Sequence, residues 1–227
     1  TGILHLVATP IGNLSDLSTR ACNALENCDL IACEDTRVTK KLLDHLSLSK
    51  TLVSYREENE VRKTSELADL LEQGKKIALV SDAGYPGISD PGFRMVRECR
   101  KRTIPVVPIP GPNAAITVLA ASGLPTHQFL FLGFLPKKSA GARKALTEWK
   151  DFGGSLILYE AKYRIEKTLG LIEEELGGER TVCVAREVTK LHESFLVGTV
   201  TEIIKRNQAG SSKGEFTLVI APEGYAL

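Results

Sequence analysis

Short, nearly continuous apolar runs alternate along this chain with longer stretches in which apolar residues recur at helical spacing. Ile3-Leu4-His5-Leu6-Val7-Ala8, Leu30-Ile31-Ala32-Cys33 and Ile77-Ala78-Leu79-Val80 read as buried strands. Weaker strands are expected at 52–54 and 105–109. Between them the pattern predicts a helix through Leu17, Ala21, Ala24 and Leu25, with Asp16 as its cap. Further helices are expected at 38–46 and 93–100, and at 60–72, where Leu67, Leu70 and Leu71 share a face. Repeated β-α units of this length predict a parallel sheet covered on both faces.

Pro110-Gly111-Pro112-Asn113 interrupts the series. A helix of small residues follows at 114–122 and ends at Gly123-Leu124-Pro125. A second series then begins, with strands expected at 129–132, 155–159, 181–185, 194–197 and 215–221, and helices at 140–150, 165–176 and 200–206. The boundary falls between about 110 and 127, and the chain divides into α/β domains at 1–112 and 113–227, each of ordinary domain size. The polar segment 208–214 reads as the most flexible loop.

Composition narrows the function classes. The chain has 227 residues, 43% of them hydrophobic, and a net charge of +1. That charge advertises neither nucleic acid nor an acidic membrane, although a local basic patch suffices for an RNA partner. Cys22, Cys28, Cys33, Cys99 and Cys183 contain no Cys-x-x-Cys pair, so neither a disulfide framework nor a zinc knuckle is suggested. Most lie in apolar runs, where cysteine packs as a small hydrophobe, and a reducing cytoplasm is the simplest compartment. The histidines show no metal spacing, and no metal is expected. No leader or membrane-spanning run is read from the sequence.

The candidate chemistry sits where strands end. The loop Ser81-Asp82-Ala83-Gly84-Tyr85-Pro86-Gly87-Ile88-Ser89-Asp90-Pro91-Gly92 is rigid, open-backboned and acidic. Open α/β sheets bind ligands at the carboxyl ends of their strands. Neither a G-x-G-x-x-G nor a P-loop lysine motif follows the first strand, which leads into Thr9-Pro10-Ile11-Gly12-Asn13-Leu14, readable as a turn with a helix cap. The second strand leads into Glu34-Asp35-Thr36-Arg37, readable as a site or as a helix start whose acids complement the dipole. In the second half, Tyr159-Glu160 with Tyr163-Arg164, and Ala185-Arg186-Glu187-Val188-Thr189-Lys190, read either as site residues or as surface ion pairs. Lys137, Lys138, Arg143 and Lys144 surround an apolar proline turn that would hold phosphates or be simply solvated.

In this order, Thr9–Leu14, Glu34–Arg37, the 81–92 loop, Pro110-Gly111-Pro112, Gly133-Phe134-Leu135-Pro136-Lys137 and Ala185–Lys190 resemble the ribosomal RNA small subunit methyltransferase I family, of the tetrapyrrole-methylase fold. The resemblance implies two αβα domains with S-adenosylmethionine in the cleft between them, and a homodimer. It also implies 2′-O-methylation of a cytidine in the decoding region of 16S ribosomal RNA, with the small ribosomal subunit as partner. Corrin and porphyrin methylases carry a Gly-Asp-Pro loop where this chain has Ser81-Asp82-Ala83-Gly84, and a glycine-rich first loop where it has Thr9-Pro10-Ile11; both departures favour RNA. On this basis Asp82, Ala83, Gly84, Pro86, Ile88, Ala114, Ala115, Tyr159, Ala185, Arg186, Glu215 and Phe216 are expected donor contacts. A ribose hydroxyl is a poor nucleophile and calls for a base or an acceptor. Glu34, Asp35, Arg37, Asp90 and Glu187 are the catalytic candidates, with Glu160 and Lys190 behind them. Arg37, Lys137, Lys138, Arg143 and Lys144 are the candidate phosphate contacts. A tetrapyrrole methylase and a non-catalytic, ribosome-associated donor-binding protein stand as alternatives.

Overall fold

The computed structural model describes residues 1–208 and 214–227. Most of the polar loop read from the sequence, 209–213, lies outside the described residues. The chain divides into two compact units, Thr1–Asn113 and Ala114–Leu227.

The first unit holds β1 (Ile3–Val7), β2 (Leu30–Cys33), β3 (Thr51–Ser54), β4 (Lys76–Val80) and β5 (Val106–Ile109). They form one sheet in the order β3-β2-β4-β1-β5, every pair parallel. Helices α1 (Thr19–Asn27), α2 (Thr36–His45), α3 (Glu60–Glu72) and α4 (Phe93–Lys101) connect the strands. Both faces of the sheet are buried, which explains why its central strands read as unbroken apolar runs. Along β4, Ala78 and Val80 pack with Leu25, Leu42 and Leu43 on one face, while Ile77 and Leu79 pack with Leu67, Leu71 and Met95 on the other. Two helix starts differ from the sequence reading. Ser18, not Asp16, caps α1, its hydroxyl accepting from the Ala21 N–H at 3.1 Å. Helix α2 begins at Thr36 because the Asp35 carboxylate caps it, accepting from the Arg37 N–H at 2.8 Å.

The second unit holds β6 (Phe129–Phe134), β7 (Ser155–Ala161), β8 (Thr181–Arg186), β9 (Ser194–Thr199) and β10 (Glu215–Ile220), with helices α5 (Ala114–Ala121), α6 (Ser139–Glu148), α7 (Ile165–Leu176) and α8 (Val200–Gln208). Its sheet runs β6-β7-β10-β8-β9. Only β6 and β7 are parallel; β10 is antiparallel to both its neighbours, and β8 and β9 form an antiparallel pair. Leu156, Leu158, Val182, Val184, Phe216 and Leu218 pack beneath Leu146, Leu169, Ile172 and Ile203 of the helices. Among the described residues, no helix is long and apolar enough to cross a membrane.

Candidate active site

Because every strand of the first unit is parallel, the segments following β1, β2, β4 and β5 emerge on one edge of the sheet. Two of them are latched together. The Thr9 N–H donates to the Gly84 carbonyl at 2.9 Å, and the Gly84 N–H returns a bond to the Thr9 carbonyl at 3.0 Å. The Thr9 hydroxyl donates to the Ser81 carbonyl at 3.1 Å, and the Ser81 hydroxyl donates to the Gly84 carbonyl at 3.1 Å. The segment after β5 closes on the same point. A Cβ on Gly84 would lie 3.5 Å from Ile11 and 3.7 Å from the Pro112 carbonyl. Gly84 has φ +81°, a conformation that disfavours any side chain there. The structure therefore brings Gly84, with Ala83 before it, next to the segments that follow β1 and β5. Ile88 is exposed and Pro86 is buried.

Three carboxylates, Glu34, Asp82 and Asp90, interact on this edge. Burial, then repulsion from Asp82, Asp90 and Glu58, raises Glu34 above its ordinary value, with Arg56 opposing. Burial, augmented by Asp82, pushes Asp90 up to about 6. The Asp82 carboxylate also accepts from the Asp35 N–H at 3.0 Å, so it ties the loop after β4 to the start of α2. These raised values mark negative charge that the protein leaves under-compensated. Among the described residues no group of side chains has the makings of a metal site.

Asp35 and Arg37, candidates for catalysis and phosphate binding, are paired with each other at the start of α2. The Arg37 guanidinium folds back on Asp35, with Nη2 to Oδ2 at 2.6 Å, and this contact together with the Arg37 N–H holds the Asp35 carboxyl far below the carboxylate range. A carboxylate so firmly ionised is a poor base, and the pair builds the helix start.

In the second unit, β6, β7 and β8 end on one edge of the sheet. Tyr159 is partly buried on β7, and its hydroxyl accepts from the Ala115 N–H at the start of α5 at 3.3 Å. Phe131 and Phe134 meet the Tyr159 ring edge-on, with centroids 4.9 and 5.7 Å away. Residues three apart on a strand ordinarily face opposite ways. Here the register shifts between Phe131 and Gly133, and Gly133 takes φ +61°, so both rings reach the same partner. The glycine inside an otherwise strand-like run was the sequence signal for this bulge.

The charged candidates of this unit are structurally engaged. Glu160 is 2% exposed; it accepts from the Thr168 hydroxyl at 2.6 Å and from the Ala161 N–H at 2.7 Å, which removes it as a base. Glu187 accepts from Lys190 at 3.0 Å and from the Glu215 N–H at 2.9 Å; desolvation works against ionisation, but these bonds hold the carboxyl below its ordinary value. Lys190 also donates to Glu215 at 2.7 Å, so Glu215 and Lys190 serve a surface network. Its ammonium is raised above the ordinary lysine value, desolvation opposing and the two carboxylates prevailing, which excludes it as a neutral base. Ala185 and Phe216 are buried on strands paired on both sides, and Phe216 belongs to the helix-covered core. Arg143 is gripped by Glu174 and Glu175 of α7 rather than offered to phosphate. Lys137, Lys138 and Lys144 are exposed, Arg186 is partly exposed, and Ala114 is partly and Ala115 fully buried at the first turn of α5.

Comparison with known proteins sets this geometry in a family. The family described as Tetrapyrrole (Corrin/Porphyrin) Methylases matches residues 3–204. A ribosomal RNA small subunit methyltransferase I from Halalkalibacterium halodurans is 49% identical over 98% of this chain and 77% of its own length. One from Hydrogenobaculum sp. is 45% identical over 97% of this chain and 96% of its own. The fold is shared with the methyltransferase CobJ, at TM-score 0.72 and 16% identity over 100% of this chain and 97% of that one. It is shared also with diphthine synthase, at TM-score 0.71 and 11% identity over 97% and 90%. With identity this high over nearly all its length, the chain belongs to the ribosomal RNA small subunit methyltransferase I family, within the tetrapyrrole methylases.

Proposed function

We propose that this protein transfers a methyl group from S-adenosylmethionine to the 2′-hydroxyl of a cytidine in the small-subunit ribosomal RNA. The observation that carries the reading is the 49% identity to a ribosomal RNA small subunit methyltransferase I across 98% of the chain. The acceptor is RNA within the small ribosomal subunit, the compartment is the cytoplasm, and the working form is a homodimer, as the family resemblance implies.

The strand ends of the first unit fit such a donor. Its sulfonium and ammonium are cations, and Glu34, Asp82 and Asp90 form a field of negative charge whose mutual repulsion a cation relieves. Carboxylates also accept from ribose hydroxyls. The glycine at position 84 lets a ligand approach the latched backbone closely. When bound, the donor supplies an electrophilic methyl group. The protein's residues then align the acceptor oxygen, a contribution that reaches ~7–11 kcal/mol in well-oriented reactions.

Asp90 is the best-suited base. Its raised affinity for protons makes it a stronger acceptor than an ordinary aspartate, yet it is mostly ionised at pH 7. Asp90 would accept the hydroxyl proton as the acceptor oxygen bonds to the methyl carbon, and the donor would leave as its neutral thioether. Glu34 shares the same field and orients the hydroxyl or the donor. The test is transfer of tritiated methyl groups to hypomethylated small subunits, followed by mapping of the labelled nucleotide. Label in a cytidine ribose is expected. Label on a base, or no label together with a spectral shift of an added porphyrinoid, overturns the reading.

A further inference from the structure

We infer that the turns following β6 and β7 in the second unit form a stacking site for an unpaired RNA nucleobase, with Tyr163 as its platform. This rests on the reading that the acceptor is RNA. The two turns are physically joined. The Arg164 guanidinium donates to the Leu135 carbonyl at 3.2 Å and to the Pro136 carbonyl at 3.0 Å. Arg164 lies 3.7 Å from the buried Glu160 carboxylate, which Thr168 holds in turn. The guanidinium is thus a clamp, and the residues flanking its contacts lie on the two turns it joins: Lys162 and Tyr163 on one, Phe134, Lys137 and Lys138 on the other.

What these residues present is unusual for a solvated surface. Tyr163 is 86% exposed, although the turn that carries it is fixed by the buried anchor beneath. Phe134 is 54% exposed, its ring steadied edge-on by Tyr159. The Lys162 ammonium lies 4.6 Å from the centroid of the Tyr163 ring. Lys137 and Lys138 are exposed beside them. A single exposed aromatic residue needs no explanation. Two of them, on rigid supports and interleaved with three lysines, match how proteins hold single-stranded nucleic acid: bases stack on aromatic faces while cations follow the phosphates. A protein partner is a poorer match, because lysine is depleted at such interfaces. Duplex RNA fits less well, because its bases are already stacked. The sequence pointed to the lysines after β6 and left Tyr163-Arg164 open between a site and a surface ion-pair cluster, since the Arg164 clamp is visible only in the fold.

The test measures fluorescence anisotropy of a labelled single-stranded RNA of about 12 nucleotides and of a hairpin duplex of matching composition. Tyr163→Ala is expected to weaken single-strand binding about 5- to 150-fold, the range of one lost base–aromatic stack, with duplex binding unchanged. Tyr163→Phe should bind as the unaltered protein does. Lys137→Ala with Lys138→Ala should flatten the salt dependence by about 1.4 in log–log slope. Unaltered strand binding by Tyr163→Ala, an equal loss on the duplex, or no strand binding by the unaltered protein overturns the proposal. Methyl transfer to small subunits, run in parallel, separates the two readings. Transfer by the unaltered protein without any Tyr163-dependent strand binding removes the stacking site alone. Strand binding that depends on Tyr163 without any transfer removes the methylation reading and leaves the site.

Discussion

The two sheets end in edges of opposite electrostatic character. At the strand ends of the first unit, Glu34 and Asp90 sit above their ordinary values because burial and neighbouring carboxylates leave their charge under-compensated. At the strand ends of the second unit, the carboxylates are engaged: Glu160 by Thr168, and Glu187 and Glu215 by Lys190. Both edges carry acids in sequence patterns of similar appearance. Stability favours paired charge, so a persistent imbalance on a rigid, latched loop points to binding or catalysis. On the paired edge the carboxylates are spent on partners within the unit, and the turns after β6 and β7 show aromatic and basic side chains to solvent. An acidic strand end is therefore informative through what its neighbours fail to neutralise.

Asp90 carries most of the contrast between the two edges. Asp90→Asn keeps the shape and removes the base. Single-turnover methyl transfer should fall about 10²–10⁴-fold, with donor affinity by calorimetry changed far less. In the unaltered enzyme, the rate should rise with pH and level off above about 6, since the base must be deprotonated. Stability should move the other way. A carboxyl raised in the folded state binds more protons folded than unfolded, so its contribution to stability falls as pH rises from about 4 to about 6. Asp90→Asn should therefore be more stable at pH 7, by on the order of 1–3 kcal/mol. A slower and less stable variant would show that Asp90 is structural.

Next is the latch. Gly84→Val places a branched side chain at φ +81°, facing Ile11 and the Pro112 carbonyl. Backbone strain of about 1–2 kcal/mol is expected, together with at least a tenfold weaker donor affinity by calorimetry. Unchanged affinity would move the donor away from this loop.

A smaller effect is expected from Lys190→Met, which leaves Glu187 and Glu215 facing each other without their cation. A loss of about 1 kcal/mol at pH 7 suits a partly exposed network. Because Glu187 is depressed in the folded state, its contribution is present at neutral pH and lost as pH falls through the carboxylate range. The stability difference between the two proteins should therefore begin to shrink as pH falls into the ordinary glutamate range and vanish only below the depressed folded value. Methyl transfer should stay within about twofold. A tenfold fall in transfer at unchanged melting temperature would return Glu187 to the catalytic candidates and dissolve the contrast between the edges.

What the sequence carried and what it lacked follow from the range of the interactions. Helices α3 and α7 were readable to the residue because their apolar faces repeat locally. The strands of the first unit were readable because burial on both faces leaves unbroken apolar runs. The direction of β10 was not readable, since a run buried on both faces looks alike in parallel and antiparallel company. Strand-end positions of Glu34, Asp82 and Asp90 were visible in the pattern, but their imbalance was not, because it depends on which distant side chains come near. The same holds for Arg143, whose carboxylate partners lie on another helix, and for Arg164, whose acceptors are backbone carbonyls with no sequence signature.

The first unit holds a similar contrast within itself, between Asp35 and its neighbours on the same edge. Asp35 accepts from the Arg37 N–H and pairs with the Arg37 side chain, and its carboxyl is held well below the ordinary value, Arg37 being the main cause. Asp35→Asn retains an oxygen for the cap and loses the ion pair at an exposed guanidinium, so melting temperature and single-turnover rate should both stay near those of the unaltered protein. Asp35→Ala removes the cap and should lower the melting temperature by a few degrees with little change in rate. A group depressed on folding stabilises above its unfolded value and ceases to do so as pH falls, so the melting difference between Asp35→Ala and the unaltered protein should shrink in acid. Glu34→Gln, one residue away, should give the opposite signature: a slower rate at undiminished stability, because a carboxylate raised by burial and like charges is relieved when neutralised. If both residues cost turnover equally, the acidic cluster acts as one unit and Asp35 belongs to the active site; if only Glu34 does, the line between catalytic and structural charge runs between adjacent residues.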